Sequence, residues 1–275
     1  MNDVMPPVLY KYLDVDGAIH TLKGCSVKFT PPNKFNDPFE FMPGGYSGDT
    51  PEVRLQIVKE LLVQDPKYRI LYNTITGLSY SIDDWKISLA INVEQTQKIA
   101  DKIFVNLQNR NWKDFVKLAS EKFVCLSLSQ CRDNLLMWAH YAEMHKGIVI
   151  GFKMEFFSHL HKVTYSTKRV LIPFSVTVSQ TQRNKIAVAV MTTKSEDWSY
   201  EQEWRSILHR KELKYSNGLY LQDFPPEAID SIILGVNIDE SLKKEILASI
   251  LKFPNCKLYQ AKLHQSEFAL DLVLL

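Results

Sequence analysis

Apolar residues recur along the chain at two spacings, alternate positions and helical turns, and these predict its strands and helices. Val8-Leu9-Tyr10-Lys11-Tyr12 follows Pro6-Pro7 and predicts a first strand with side chains on alternating faces. A short helix over Asp16–Leu22 and a strand over Ser26–Thr30 come next, and Pro31-Pro32 ends that strand because proline cannot donate to a ladder. Asp37-Pro38-Phe39-Glu40 has the N-cap, N1 proline and N3 glutamate of a helix start.

Helical spacing governs Glu52–Gln64, through Val53, Ile57, Val58, Leu61 and Leu62. It returns over Ile91–Gln108, through Ile91, Ile99, Ile103, Phe104 and Leu107, with turn residues near Tyr80–Asp84 between the two runs. From Phe123 the pattern is extended again, with strands over Phe123–Leu128 and Ile148–Phe152 around a helix over Asp133–Lys146, closed by Gly147 at C′. Later strands are Val163–Tyr165, Leu171–Val178, Glu203–His209, Ile229–Leu234 and Lys257–Leu263, with a helix over Glu240–Leu251. Strand clusters broken by irregular helices predict an α+β fold rather than a βαβ alternation. The expected organisation is one domain over residues 1–275 with a mainly helical insertion at about 50–120.

A chain of 275 residues, 45% hydrophobic and 23% charged, can bury a sizeable core without metals or disulfides. The formal charge is +2 with dispersed basic residues, which excludes a basic block for gripping nucleic acid non-specifically. Cys25, Cys125, Cys131 and Cys256 form no Cys-x-x-Cys pair, and the sequence shows no signal peptide and no apolar run of membrane-spanning length. Free thiols and a cytoplasmic location are the expectation.

Trp198-Ser199-Tyr200-Glu201-Gln202-Glu203-Trp204-Arg205 is the most chemically suggestive stretch. An extended backbone from Glu201 onward turns Glu201, Glu203 and Arg205 to one face, whereas a helix would turn the two carboxylates apart by about 200°. Paired buried carboxylates repel unless a cation or ligand relieves them. The alternative is a surface strand whose charges pair with Arg205 or Lys194. Leu136-Met137-Trp138-Ala139-His140-Tyr141 carries an aromatic stripe that reads as core packing or as a pocket wall, and His140 equally as a satisfied, partly buried histidine. In Tyr10-Lys11-Tyr12 the lysine stands opposite the two rings; the alternative is an edge strand with a protective lysine. Cys125, Cys131, His140 and His145 depart from zinc-ligand spacing, and no metal is expected. Gly-rich phosphate loops, Gly-x-Ser-x-Gly and His-Glu-x-x-His are absent from the sequence.

Several blocks in order resemble a bacterial and phage family known as domain of unknown function 2971. They are Leu9-Tyr10-Lys11-Tyr12, Phe35-Asn36-Asp37-Pro38-Phe39-Glu40, and Leu136–Tyr141 with His145-Lys146-Gly147. Tyr200–Arg205 with Trp198, and Ile232-Ile233-Leu234-Gly235, complete the set. A more distant likeness is to ADP-ribosyltransferases, whose later strand carries Gln-x-Glu or Glu-x-Glu, as in Glu201-Gln202-Glu203. Lys11 stands where that pattern has His or Arg.

The likeness implies a split antiparallel or mixed sheet binding NAD. It implies that Glu203 serves the nicotinamide ribose and that Glu201 orients or deprotonates a nucleic-acid or protein acceptor. Tyr10, Lys11, Tyr12 and Arg205 would bind the cofactor, with Trp138, His140 and Tyr141 at the nicotinamide pocket. A toxin or phage-defence setting would suit such an activity. Two other readings stand beside it: a non-catalytic module binding a nucleotide or partner, and a metal-dependent nuclease using Asp37, Glu40, Glu201 and Glu203.

Overall fold

Alternating apolar side chains build one large mixed sheet, covered by helices on both faces, so the fold is α+β. The computed structural model describes residues 5–47, 50–64, 70, 94, 96–98, 100–102, 112–173 and 179–275. The first strands are β1 Val8–Leu13, β2 Ser26–Phe29, β3 Gly45–Ser47, β4 Phe123–Ser129 and β5 Ile148–Lys153. After them come β6 Leu160–Lys162, β7 Thr164–Ser166, β8 Leu171–Pro173, β9 Thr193–Ser195 and β10 Glu203–His209. The last are β11 Lys214–Ser216, β12 Leu219–Asp223, β13 Ile229–Leu234, β14 Lys257–Leu263 and β15 Leu270–Leu274.

The chain divides into two compact units. The first comprises Met1–Glu40, Val116–Thr167 and Thr192–Leu275, and holds the eight-stranded sheet in the order β15-β14-β13-β5-β1-β4-β10-β6. Leu9, Leu126, Leu128, Ile150, Trp204 and Ile232 face one side, beneath the helices Val15–Gly24 and Glu240–Ile250 through Leu22, Leu242 and Ile246. Tyr12, Val149, Ile233 and Ala261 face the other, against Met137 and Trp138 of the helix Leu135–Tyr141. The second unit comprises Phe41–Phe115 and Lys168–Met191. It contains the helices Pro51–Gln64 and Gln180–Met191 and the parallel pair β3 and β8.

Four expectations change in the structure. The helix predicted over Asp133–Lys146 runs only from Leu135 to Tyr141, with Asn134 as its N-cap. Glu143, Met144 and His145 then take positive φ angles that a helix cannot contain. Gly147 is accordingly not a helix cap; any Cβ there would collide with Leu13 O. The helix start expected at Asp37 is a turn instead, in which Asp37 Oδ1 accepts from Phe39 N at 2.8 Å. Finally, β1 lies between β5 and β4, so Lys11 does not guard a sheet edge. Most of the helix expected over Ile91–Gln108, the turn near Tyr80–Asp84, and residues 174–178 of the expected strand Leu171–Val178 lie outside the described residues.

Candidate functional site

The eight-stranded sheet opens between β1 and β4. β1 pairs with β5 at every position from Val8 to Leu13, but its register with β4 is the single pair Tyr10↔Ser129. Where a further ladder bond would form, Lys11 Nζ donates to Ser127 O at 3.0 Å. The resulting notch encloses about 380 Å³, within the usual range for small-molecule sites. Tyr10, Lys11 and Tyr12 line it from β1, and Ser127 and Ser129 from β4. Lys34, Phe35 and Asn36 border it, together with His140, Tyr141, Lys194, Glu201 and Glu203.

The two glutamates arrive there by a backbone route that differs from the expected pleat. Glu196–Glu201 is a 3-10 helix, Gln202 is left-handed at φ 44° and ψ 52°, and only Glu203 begins the strand. The kink is clamped by β4 and the residue after it: Ser129 Oγ donates to Glu201 O at 2.6 Å, and Gln130 N donates to Gln202 O at 3.1 Å. A left-handed Gln202 costs energy that these bonds offset. It leaves Gln202 exposed and turns both glutamates inward, each 3% exposed.

A buried ion cluster joins them. Lys194 Nζ lies 2.7 Å from Glu201 Oε2, 2.9 Å from Glu40 Oε1 and 3.5 Å from Glu203 Oε2. Arg205 donates from Nε to Glu203 Oε1 at 2.8 Å and from Nη2 to Glu203 Oε2 and Glu40 Oε2, both at 2.9 Å. The remaining Glu201 oxygen accepts from Tyr141 Oη at 2.6 Å, and Asn36 Nδ2 donates to that hydroxyl at 3.3 Å. Three carboxylates thus share an ammonium and a guanidinium, leaving one negative charge when all are ionised.

Burial shapes the titration of these groups. It works to raise Glu203, but Arg205 and Lys194 outweigh it and hold the carboxyl down at about 2. For Glu40 burial prevails over the same two cations, and its pKa is raised. Tyr141 is pushed above its ordinary value by burial and by Glu201, so it stays a donor. Burial lowers Lys11 to about 8 despite Glu203 and Glu201.

That last shift is directly measurable. With lysine labelled at the ε-carbon, one NMR resonance of the wild type should titrate near pH 8 and be missing from Lys11→Met. The folded protein releases this proton before the unfolded chain does. Lys11's contribution to stability should therefore rise as pH climbs from 8 towards the ordinary value of 10.5. A Lys11 resonance that titrates only above pH 10 would show an ordinary solvated amine.

Of the expected site residues, Tyr10, Lys11, Tyr12, His140, Tyr141, Glu201 and Glu203 line one notch. Trp138 does not; it is fully buried, donates from Nε1 to Arg132 O and packs edge-on against Tyr12. Arg205 is also fully buried and faces Glu203 and Glu40 rather than the opening. The expected role of Glu203 toward a ribose hydroxyl meets competition, because both its oxygens already accept from Arg205. The surface-pair alternative for Lys194 is corrected too: the ion pairs exist, but they are buried. Glu40 is the cluster member that the capping-box reading assigned to a helix start. The nuclease reading grouped it with Glu201 and Glu203 as a metal ligand, whereas its partner here is Arg205, 165 residues away.

Among the described residues no group of three or more His, Cys, Asp or Glu side chains is arranged to hold a metal ion. The described cysteines are free thiols, and no described helix is long and apolar enough to cross a membrane. Residues 137–206 match a family described as "Protein of unknown function (DUF2971)", which supports that resemblance. The matched segment contains Tyr141, Lys194, Glu201, Glu203 and Arg205 and leaves out β1 and Glu40. No curated protein and no solved structure matches the chain.

Proposed function

We propose that this chain binds NAD in the notch between β1 and β4 and transfers its ADP-ribosyl group to a nucleic-acid or protein acceptor. The observation that carries this reading is the meeting of Glu201 and Glu203 at one tyrosine-bordered notch where the sheet opens. In the reaction the bond between ribose C1′ and the pyridinium nitrogen breaks, and nicotinamide leaves neutral with the bonding electrons. Positive charge then develops on the ribose, and a fixed negative charge nearby lowers the barrier.

Glu203, held ionised by Arg205, supplies that charge without rearranging. Glu201 has one internal donor on each oxygen and keeps lone pairs for the ligand. It orients the acceptor and takes the proton released when the acceptor's nucleophilic atom bonds to C1′. Tyr10 and Tyr12 stack on a ring, and Lys11 and Lys34 neutralise the pyrophosphate.

Calorimetric titration with NAD at up to ~1 mM, paired with chromatography of released nicotinamide, tests the reading. Saturable binding with nicotinamide release is the expected result; neither heat nor release would dispose of it. The complete pairing of Glu203 with Arg205 favours a second reading, a non-catalytic nucleotide-binding module. In that case NAD binds without nicotinamide release, and Glu203→Gln alters affinity alone.

A further inference from the structure

We propose that a second groove, bounded by Asp37, Phe39, Asp197, Trp198 and Tyr200, binds an organic cation, with the guanidinium of an arginine side chain as the best fit. The groove encloses about 390 Å³, and none of its lining residues lines the notch.

Asp37 carries the inference. It is only 7% exposed, yet among the described residues its side chain accepts one hydrogen bond, from Phe39 N at 2.8 Å, and forms no ion pair. Glu40, Glu201 and Glu203, equally buried, each have a cation against them. The second Asp37 oxygen has no hydrogen-bond donor or counter-ion among the described residues, so a cation entering the groove would supply that partner.

The walls suit such a guest. Phe39 lines the groove and is 60% exposed. The Trp198 and Tyr200 rings lie 6.1 Å apart at 39°, and the Lys194 ammonium sits 4.6 Å from the Trp198 ring centroid. The indole therefore already serves as a cation's partner, while Lys194 itself is neutralised by its carboxylates. Asp197 adds negative charge at an exposed position, with one oxygen 2.8 Å from Ser195 Oγ. A guanidinium satisfies both features at once, because its plane stacks on aromatic faces while its edge forks onto a carboxylate. An ammonium can do only part of this.

The test needs no nucleotide, so its outcome is independent of what occupies the notch. Nα-acetyl-arginine methylamide is titrated while the indole N–H resonance of Trp198, assigned with Trp198→Phe, is followed by NMR. The neutral citrulline counterpart is run in parallel. Saturable shifts are expected with the arginine compound, and binding about tenfold or more weaker with the citrulline compound. Asp37→Asn keeps the acceptor for Phe39 N but loses the charge, and should weaken arginine binding by a similar factor. Phe39→Ala, at an exposed position, should weaken it by about fivefold. Equal affinity for the two compounds would overturn the proposal. So would Phe39→Ala and Asp37→Asn proteins that both bind within about twofold of wild type.

Discussion

Arg205→Met is expected to destabilise the protein by about 3–5 kcal/mol and to lower its urea midpoint by about 1–2 M. The reason is the company that Arg205 keeps. Its guanidinium is fully buried and bonds both oxygens of Glu203 and one of Glu40. Methionine fills a similar volume but leaves those carboxylates with only Lys194, which lies 3.5 Å from Glu203. The cost is therefore that of uncompensated charge rather than of a cavity. Arg205→Lys keeps the charge but cannot reproduce the fork, so a smaller loss of about 1–2 kcal/mol is expected. A methionine variant within about 0.5 kcal/mol of wild type would mean that Arg205 does not anchor the buried carboxylates.

Glu201→Gln should slow nicotinamide release by about a hundredfold or more while NAD affinity stays within about threefold. The substitution retains an oxygen for Tyr141 but removes the proposed proton acceptor together with one negative charge of the cluster. Tyr141→Phe makes a useful companion. It removes the 2.6 Å donor to Glu201 and should lower the rate by a smaller factor, about tenfold. The split between rate and affinity separates enzyme from module, since a purely binding role would move affinity and leave no turnover to lose. Mass spectrometry of a mixture of candidate acceptors, scanned for added ADP-ribose, would measure the same difference on the product side.

Much of the sheet is legible in the sequence. Glu203–His209, Ile229–Leu234 and Lys257–Leu263 form strands with the predicted limits, because each run holds apolar and aromatic residues at strand-like length between breaks in the pattern. The short strands β11 and β12 and the terminal β15 were not anticipated, since their runs are brief and partly exposed. At the site, the residue types were legible but the backbone was not. A left-handed Gln202 lies against intrinsic preference and is held by Ser129 and Gln130, some 72 residues earlier. Local pattern cannot report that kind of tertiary clamp. The same distance hid the role of Glu40, grouped with Glu201 and Glu203 only as a metal ligand, because its partners are Arg205 and Lys194 rather than its own neighbours. The aromatic stripe divided between both of its readings: Trp138 went to the core and Tyr141 to the notch.

The groove beside Trp198 adds a spatial consequence. Ser195 and Tyr200 line it, while their neighbours Lys194 and Glu201 line the notch. An arginine-bearing guest held there would be presented close to the carboxylates proposed to act on NAD. Acceptor choice and nucleotide chemistry would then be read by adjoining residues of one short segment.

The most direct measurement is a crystal structure of the protein soaked with NAD or ADP-ribose. Ribose density within hydrogen-bonding distance of Glu201, with a ring against Tyr10 or Tyr12, is the predicted result. A saturated soak that leaves the opening between β1 and β4 empty, or that places the nucleotide elsewhere on the molecule, would contradict it.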